Sequence, residues 1–296
     1  MAVRYLLALS VTCLFVAPVA VGQQDNYFDS GDVRIRYVEQ GRGEPVVLLH
    51  GQPSNLERQW ISTGVLANLA KDHRVIAMDL RGYGKSDKPH DPELYGEQMG
   101  EDVVHLLDHL KIPRAHIVGY SMGCTVNGKL LITNPDRYLT AVFGGGGPRR
   151  TSTPQDLADA ETDAAELTGG GPTPFRSFIL RTAAPRGLPP PSEAELRQLN
   201  DQLLATNDPL AIAAFLRSRH RQLVTDAELS TVKVPVLAVL GSGDPAVGAV
   251  KELNKVMPQL TVRIIDGATH MGDQSALARP EFSDAIRSFI ASRRAP

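Results

Sequence analysis

The chain has 296 residues, of which 42% are apolar and 22% charged, and its formal net charge is −2. That size and composition allow a large buried core. The 31 Lys and Arg residues form no cluster that could track a phosphate backbone, so the composition argues against a nucleic-acid partner.

The first segment reads as a secretory signal. Arg4 supplies a positive charge, Tyr5 to Val21 is mostly apolar, and Ala20-Val21-Gly22 offers small residues before a cleavage point. The expectation is a signal over residues 1–22, cut after Gly22, and an exported mature chain, periplasmic or secreted. Ser10, Thr12 and Pro18 interrupt the apolar run, and it is short for a membrane span of about 20 residues. No stable membrane insertion is therefore expected after its removal; an uncleaved anchor is the alternative. Cleavage takes the net charge from −2 to −3 and leaves Cys124 without a partner for an intramolecular disulfide.

Strand and helix patterns then alternate. Val33 to Val38 alternates apolar residues with Arg34 and Arg36, as a half-buried antiparallel strand does. Pro45 to Leu49, Val75 to Met78, His116 to Val118 and Tyr138 to Phe143 read as strands buried on both faces. Helices are expected over Trp60 to Ala70, Gly96 to Leu110 and Met122 to Thr133. Such alternation predicts an α/β fold, a mostly parallel doubly wound sheet with helices on both faces.

The alternation stops after Phe143. Residues 148–230 contain no convincing strand, only helical stretches near Thr153–Leu167, Ser192–Ala205 and Pro209–Gln222, separated by Gly169-Gly170-Gly171-Pro172 and Pro189-Pro190-Pro191. This predicts a helical cap inserted between core segments 23–147 and 231–296. In the second segment Val234 to Leu240 and Leu260 to Ile265 read as strands. Ala246 to Met257 and Ser275 to Ser292 read as helices.

Gly119-Tyr120-Ser121-Met122-Gly123 fits G-x-S-x-G, between the apolar strand Ile117-Val118 and a helix. In that setting the Ser sits on a strained turn with its hydroxyl exposed, and glycines leave room where neighbouring chain passes close. Further landmarks follow in order: His50-Gly51-Gln52-Pro53 after one buried strand, Asp79-Leu80-Arg81-Gly82-Tyr83-Gly84-Lys85-Ser86-Asp87 after the next, Gly241-Ser242-Gly243-Asp244-Pro245 after a late strand, and Gly267-Ala268-Thr269-His270 after the last. Together they resemble the α/β-hydrolase superfamily over residues 28–292, apart from the insertion.

The order Ser121, Asp244, His270 suits a nucleophile, an acid and a general base on this fold. Asp244 before Pro245 also reads as a turn residue, and His270 as a half-buried, hydrogen-bonded histidine. Some members take the acid from the preceding strand end, but Phe143 to Gly147 contains none. The resemblance further implies an oxyanion hole from the backbone N–H groups of Met122 and Gln52.

Other features have plainer readings. His105 and His109 lie four apart on a helix and read as surface or packing residues rather than zinc ligands. His50 reads as structural, Arg81 and Asp87 as turn organisers, Cys124 as shielded, and Arg149-Arg150 as a solvated loop. Gly144 to Gly147 lacks the Gly-Lys-Ser/Thr of a phosphate-binding loop. No metal or cofactor is expected.

A Ser at the elbow implies acyl transfer through a covalent intermediate. Branches of the superfamily with dehalogenase or epoxide hydrolase activity carry Asp there instead. The expected activity is serine hydrolysis of a carboxylic ester or lactone, on a small-molecule substrate. A C–C bond hydrolase, perhydrolase or lyase on the same triad is the alternative, and a non-catalytic binding protein a second one. Phe175, Phe178, Ile179, Leu203 and Phe215 read as cap core or as pocket lining.

Overall fold

The computed structural model describes residues 23–183 and 190–293. The expected signal over residues 1–22 lies outside the described residues, as does Pro189. Eight strands, β1 (Asn26–Ser30), β2 (Val33–Gln40), β3 (Pro45–Leu49), β4 (Arg74–Met78), β5 (Ala115–Tyr120), β6 (Tyr138–Gly144), β7 (Val236–Gly241) and β8 (Leu260–Ile265), form one sheet in the order β1-β2-β4-β3-β5-β6-β7-β8. β2 pairs antiparallel with β1 and β4, and every other pairing is parallel.

Pleating explains why the central strands are apolar throughout. Successive side chains point to opposite faces: Val47 and Leu49 of β3 enter one core cluster, and Val46 and Leu48 the other. The helices that cover these faces are α1 (Val65–Leu69), α2 (Gln98–His109), α3 (Met122–Thr133), α4 (Pro154–Thr168), α5 (Arg176–Ala183), α6 (Glu193–Leu204), α7 (Pro209–Ser218), α8 (Asp226–Thr231), α9 (Val247–Val256) and α10 (Pro280–Ala291). One face takes Leu66 and Leu69 of α1 with Phe282, Ile286, Phe289 and Ile290 of α10. The other takes Val103, Leu106 and Leu107 of α2, Leu130 of α3, and Val250 and Leu253 of α9. The α2 and α10 residues recur at helical spacing, so each helix buries a single stripe.

Several elements differ from expectation. The helix expected over Trp60 to Ala70 is broken: a π-helical turn spans Glu57–Ile61, Gly64 takes a left-handed φ of 77°, and α1 follows. The left-handed turn lets both Trp60 and Leu66 reach the same core cluster. The stretch to Gln222 ends as an α-helix at Ser218 and closes in a 3-10 turn, Arg219–Gln222. The terminal helix begins at Pro280, after a 3-10 turn at Ala276–Ala278, because a proline's missing N–H is harmless only in the first helical turn. β1, α5 and α8 are additional elements.

Between β6 and β7 the described residues hold α4 to α8 and no strand. Reciprocal capping boxes start α4 (Thr153 with Asp156), α6 (Ser192 with Glu195) and α8 (Thr225 with Glu228). Phe215 of α7 meets Tyr83 and Tyr95 edge-on, with ring centroids 6.3 and 6.4 Å apart, and so ties this helical unit to the core.

Candidate active site

The sharpest local feature is the junction of β5 and α3. Ser121 stands between them at φ 52° and ψ −112°, outside the regions L-residues favour. Holding it there costs about 1–3 kcal/mol. The surroundings enforce the conformation through backbone atoms: the Ser121 N–H donates to Gly144 O at 2.9 Å, and Ser121 O accepts from the Cys124 N–H at 2.9 Å. A Cβ on Gly119 would stand 2.3 Å from Gly123 O, and one on Gly123 would stand 2.2 Å from Leu49 O. Both glycines of the motif are therefore required by close chain approach. Cys124 is buried, with its thiol against the carbonyls of Gly144 and Gly119, and burial pushes its pKa well up. It stays an inert thiol.

Asp244 lies in the turn after β7, and its two oxygens are divided. Oδ1 accepts the Ala246 N–H at 2.9 Å, and Oδ2 lies 2.8 Å from His270 Nδ1. It is at once a turn residue and a partner of the histidine. His270 lies in the loop after β8, and its Nε2 is 3.1 Å from Ser121 Oγ. Gly241 and Gly243 bring the two loops together. A Cβ on Gly241 would stand 2.1 Å from Ala268 O, and the Gly243 N–H donates to that oxygen at 2.9 Å. The Asp244 side chain is 0% exposed and that of His270 20%, so the histidine meets the cavity while its partner is sealed.

The loop after β3 passes directly over Ser121. A Cβ on Gly51 would lie 3.0 Å from Ser121 Cβ, and the Gly51 N–H is held by Gln59 Oε1 at 2.9 Å. His50 organises this loop: its Nε2 accepts the Leu80 N–H at 3.0 Å, and its Nδ1 faces Gly51 O at 2.9 Å. Burial lowers its pKa, which keeps it neutral. Gln52 follows, and with Met122 it lines the cavity beside Ser121. Among the described residues neither backbone N–H donates a hydrogen bond. The Met122 group is in addition a first-turn helix donor, which has no intrahelical partner.

Two cavity lobes meet at Gln52, Ser121, Phe178, His270 and Met271. The first, about 680 Å³, is walled by Phe178, Ile179, Leu199 and Leu203 of the helical insertion and by Leu277 of the core. The second, about 500 Å³, runs past Met122, Gly145 to Gly147 and Phe215 to Arg149, Arg150, Arg181 and Arg219. The five apolar cap residues divide accordingly: Phe178, Ile179, Leu203 and Phe215 line cavity, whereas Phe175 is core. Arg149 is not a solvated loop residue. Its half-buried side chain forms part of the cavity wall, because Gly144 to Gly147 directs the chain along the cavity floor.

Tyr120 and Ser275 were not foreseen. Tyr120, inside the G-x-S-x-G motif, donates its hydroxyl to His270 O at 2.5 Å, and Ser275 Oγ donates to the same carbonyl at 3.2 Å. Their partner is a backbone atom 150 residues from Tyr120, so no spacing signal announces the contact. Burial holds the Tyr120 hydroxyl protonated, as a donor must be. His105 bonds Ser30 Oγ at 2.8 Å and His109 stacks on Phe28, both packing roles. Arg81 pairs with the buried Asp102 carboxylate, and the Asp87 carboxylate accepts the Arg34 N–H at 2.8 Å.

Residues 44–272 match the family described as the alpha/beta hydrolase fold. The chain belongs to that family. This α/β hydrolase is 38% identical over 103 residues to 2-hydroxy-6-oxo-6-(2'-aminophenyl)hexa-2,4-dienoic acid hydrolase of Metapseudomonas resinovorans, a match covering 33% of this chain and 34% of that one. It is 28% identical over 219 residues to 3-oxoadipate enol-lactonase 2 of Acinetobacter baylyi, covering 72% of this chain and 77% of the lactonase. The α/β hydrolase thus spans about a third of the first relative's length. Among solved structures, a thermophilic esterase from Thermogutta terrifontis superimposes with a TM-score of 0.75 at 22% identity, over 92% of this chain and 100% of the esterase, a likeness of fold.

Proposed function

We propose that this hydrolase cleaves a carboxylic ester or lactone through an acyl-enzyme on Ser121. The observation that carries the reading is the unbroken chain from Asp244 Oδ2 through the His270 ring to Ser121 Oγ, at 2.8 and 3.1 Å. Ser121 Oγ attacks the substrate carbonyl carbon while His270 Nε2 takes its proton, and the Asp244 carboxylate stabilises the resulting imidazolium through Nδ1–H. The carbonyl oxygen becomes an oxyanion within reach of the Gln52 and Met122 N–H groups, which preorganise its stabilisation. Collapse breaks the C–O bond, and the leaving alkoxide takes the proton from Nε2. Water then attacks the acyl-enzyme, again losing its proton to His270, and the released carboxylic acid leaves Ser121 restored.

The test is turnover of 4-nitrophenyl esters of increasing chain length, with stoichiometric labelling of Ser121 by a fluorophosphonate. Ser121→Ala should abolish both, and turnover that survives the substitution would overturn the mechanism. A second reading, carbon–carbon cleavage by the same three groups, is favoured by the segment shared with the dienoic acid hydrolase, whose named substrate carries no ester. Labelling of Ser121 without turnover of any ester would move the assignment there.

We further propose that residues 1–22 form a cleaved export signal. A mature N-terminus at Gln23 in the exported fraction supports this, and retention of Arg4 there counts against it.

A further inference from the structure

The second lobe carries positive charge that the protein's own carboxylates answer only at a distance. Arg150 has its own partner, Asp226 at 2.9 Å, and Arg181 is paired with Asp163. Arg149 and Arg219 have no such partner. Among the described residues the Arg149 guanidinium makes no hydrogen bond or ion pair, and Arg219 donates only to the backbone carbonyl of Asp156, at 3.0 Å. The Asp156 carboxylate is committed to its capping box, where the Thr153 N–H and hydroxyl each donate at 2.8 Å. Residues 184–189, which follow α5, contain no Asp or Glu.

Two further N–H donors in the same lobe, Arg219 Nε and Gln52 Nε2, are buried without a partner. Gln222 Oε1 is the one unpaired acceptor beside them among the described lining residues, so donors outnumber acceptors. Burial pushes both guanidinium pKa values down, helped by repulsion from Arg219 at Arg149 and from Arg181 at Arg219, and the attraction of the Asp156 carboxylate offsets this only in part. A half-buried cation with no carboxylate in direct contact is costly, and a planar anion that accepts two N–H donors in parallel is its natural complement.

We propose that this lobe binds a carboxylate of the substrate, so that the preferred substrate is an acidic ester: a scissile carbonyl at Ser121, an apolar portion in the first lobe and a carboxylate between Arg149 and Arg219. The inference rests on the serine-hydrolase reading for its chemistry. The apolar side chains of the first lobe, Phe178, Ile179, Leu199 and Leu203, and the arginines of the second then select opposite ends of one molecule.

The test has two arms. In the first, kcat/KM is compared for 4-nitrophenyl hemiglutarate and for the neutral 4-nitrophenyl butyrate. The expected ratio favours the hemiester. It should fall at least tenfold in Arg149→Met and in Arg219→Met, and recover in part in Arg149→Lys, with circular dichroism reporting the fold of each variant. A ratio near one, or one that the substitutions leave unchanged, overturns the proposal. In the second arm, glutarate is titrated calorimetrically into Ser121→Ala protein. Binding should weaken at least tenfold when Arg149→Met is added. Phosphate that binds while glutarate does not would assign the lobe to a free inorganic anion and overturn the proposal. This arm needs no turnover. If fluorophosphonate fails to label Ser121, the catalytic reading falls while the carboxylate site is still judged by calorimetry.

Discussion

Replacing Tyr120 with Phe removes one oxygen atom and tests whether β5 positions His270, the base of the proposed mechanism. In the native protein the His270 carbonyl accepts two hydrogen bonds, from Tyr120 at 2.5 Å and from Ser275 at 3.2 Å. The rings of Tyr120 and His270 lie 5.4 Å apart, so Phe retains the packing and loses only the hydroxyl. A net hydrogen bond is worth about 0.5–1.5 kcal/mol. The carbonyl keeps its Ser275 partner, so no unsatisfied acceptor is left behind. If the whole of that energy serves to hold His270 within 3.1 Å of Ser121 Oγ, kcat falls by roughly two- to twelvefold, at about 1.4 kcal/mol per factor of ten. KM changes little, because Tyr120 acts through the base. Adding Ser275→Ala strips the second donor, and the double variant should lose more than the two single losses multiplied together, since both bonds serve one atom. The measurements are kcat on a 4-nitrophenyl ester, the rate of fluorophosphonate labelling, and thermal unfolding. A Tyr120→Phe protein with a lowered melting temperature but unchanged kcat and labelling rate would refute the positioning argument and leave the hydroxyl a structural group.

Three further outcomes are expected. Asp244→Asn presents an amide to His270 Nδ1 and favours the tautomer that cannot accept the Ser121 proton; kcat should drop by roughly four orders of magnitude, whereas circular dichroism should stay native. In Gly123→Ala the new Cβ meets Leu49 O at 2.2 Å, an overpacking worth about 1–3 kcal/mol or more; a melting temperature within about 1 °C of the parent would contradict the close approach. Cys124, its thiol pKa raised by burial, should resist a thiol-specific disulfide reagent at pH 8 in the folded protein and react fully in denaturant.

The strands buried on both faces were the most legible elements, because a run such as Pro45 to Leu49 has no other comfortable environment. β1 was not, since Asn26–Ser30 contains only Tyr27 and Phe28 as apolar residues and lies at the sheet edge. The break before α1 turns on the left-handed conformation of Gly64, which periodicity cannot register. Ser121, Asp244 and His270 could be proposed in advance because each stands where an apolar strand gives way to a turn. Their distances could not, because these depend on the Gly241 to Ala268 approach. Arg149 was misjudged for a related reason: local sequence does not distinguish an arginine in solvent from one folded back over a cavity. The shape of that cavity depends on the packing of α5 and α7 against α4, which joins residues far apart in the chain.

The geometry around residue 121 has one wider consequence. The forces that hold its backbone at φ 52° come from the carbonyl of Gly144, the amide of Cys124 and the bare α-carbons of Gly119 and Gly123. None of them touches the hydroxyl. The socket is therefore blind to the reactive group it displays, and a carboxylate on the same backbone would stand in the same place. Divergence between acyl transfer and displacement at a saturated carbon then needs no change of scaffold, only of the tool it holds. For chains built this way, overall likeness reports the socket, and the identity of one residue reports the chemistry.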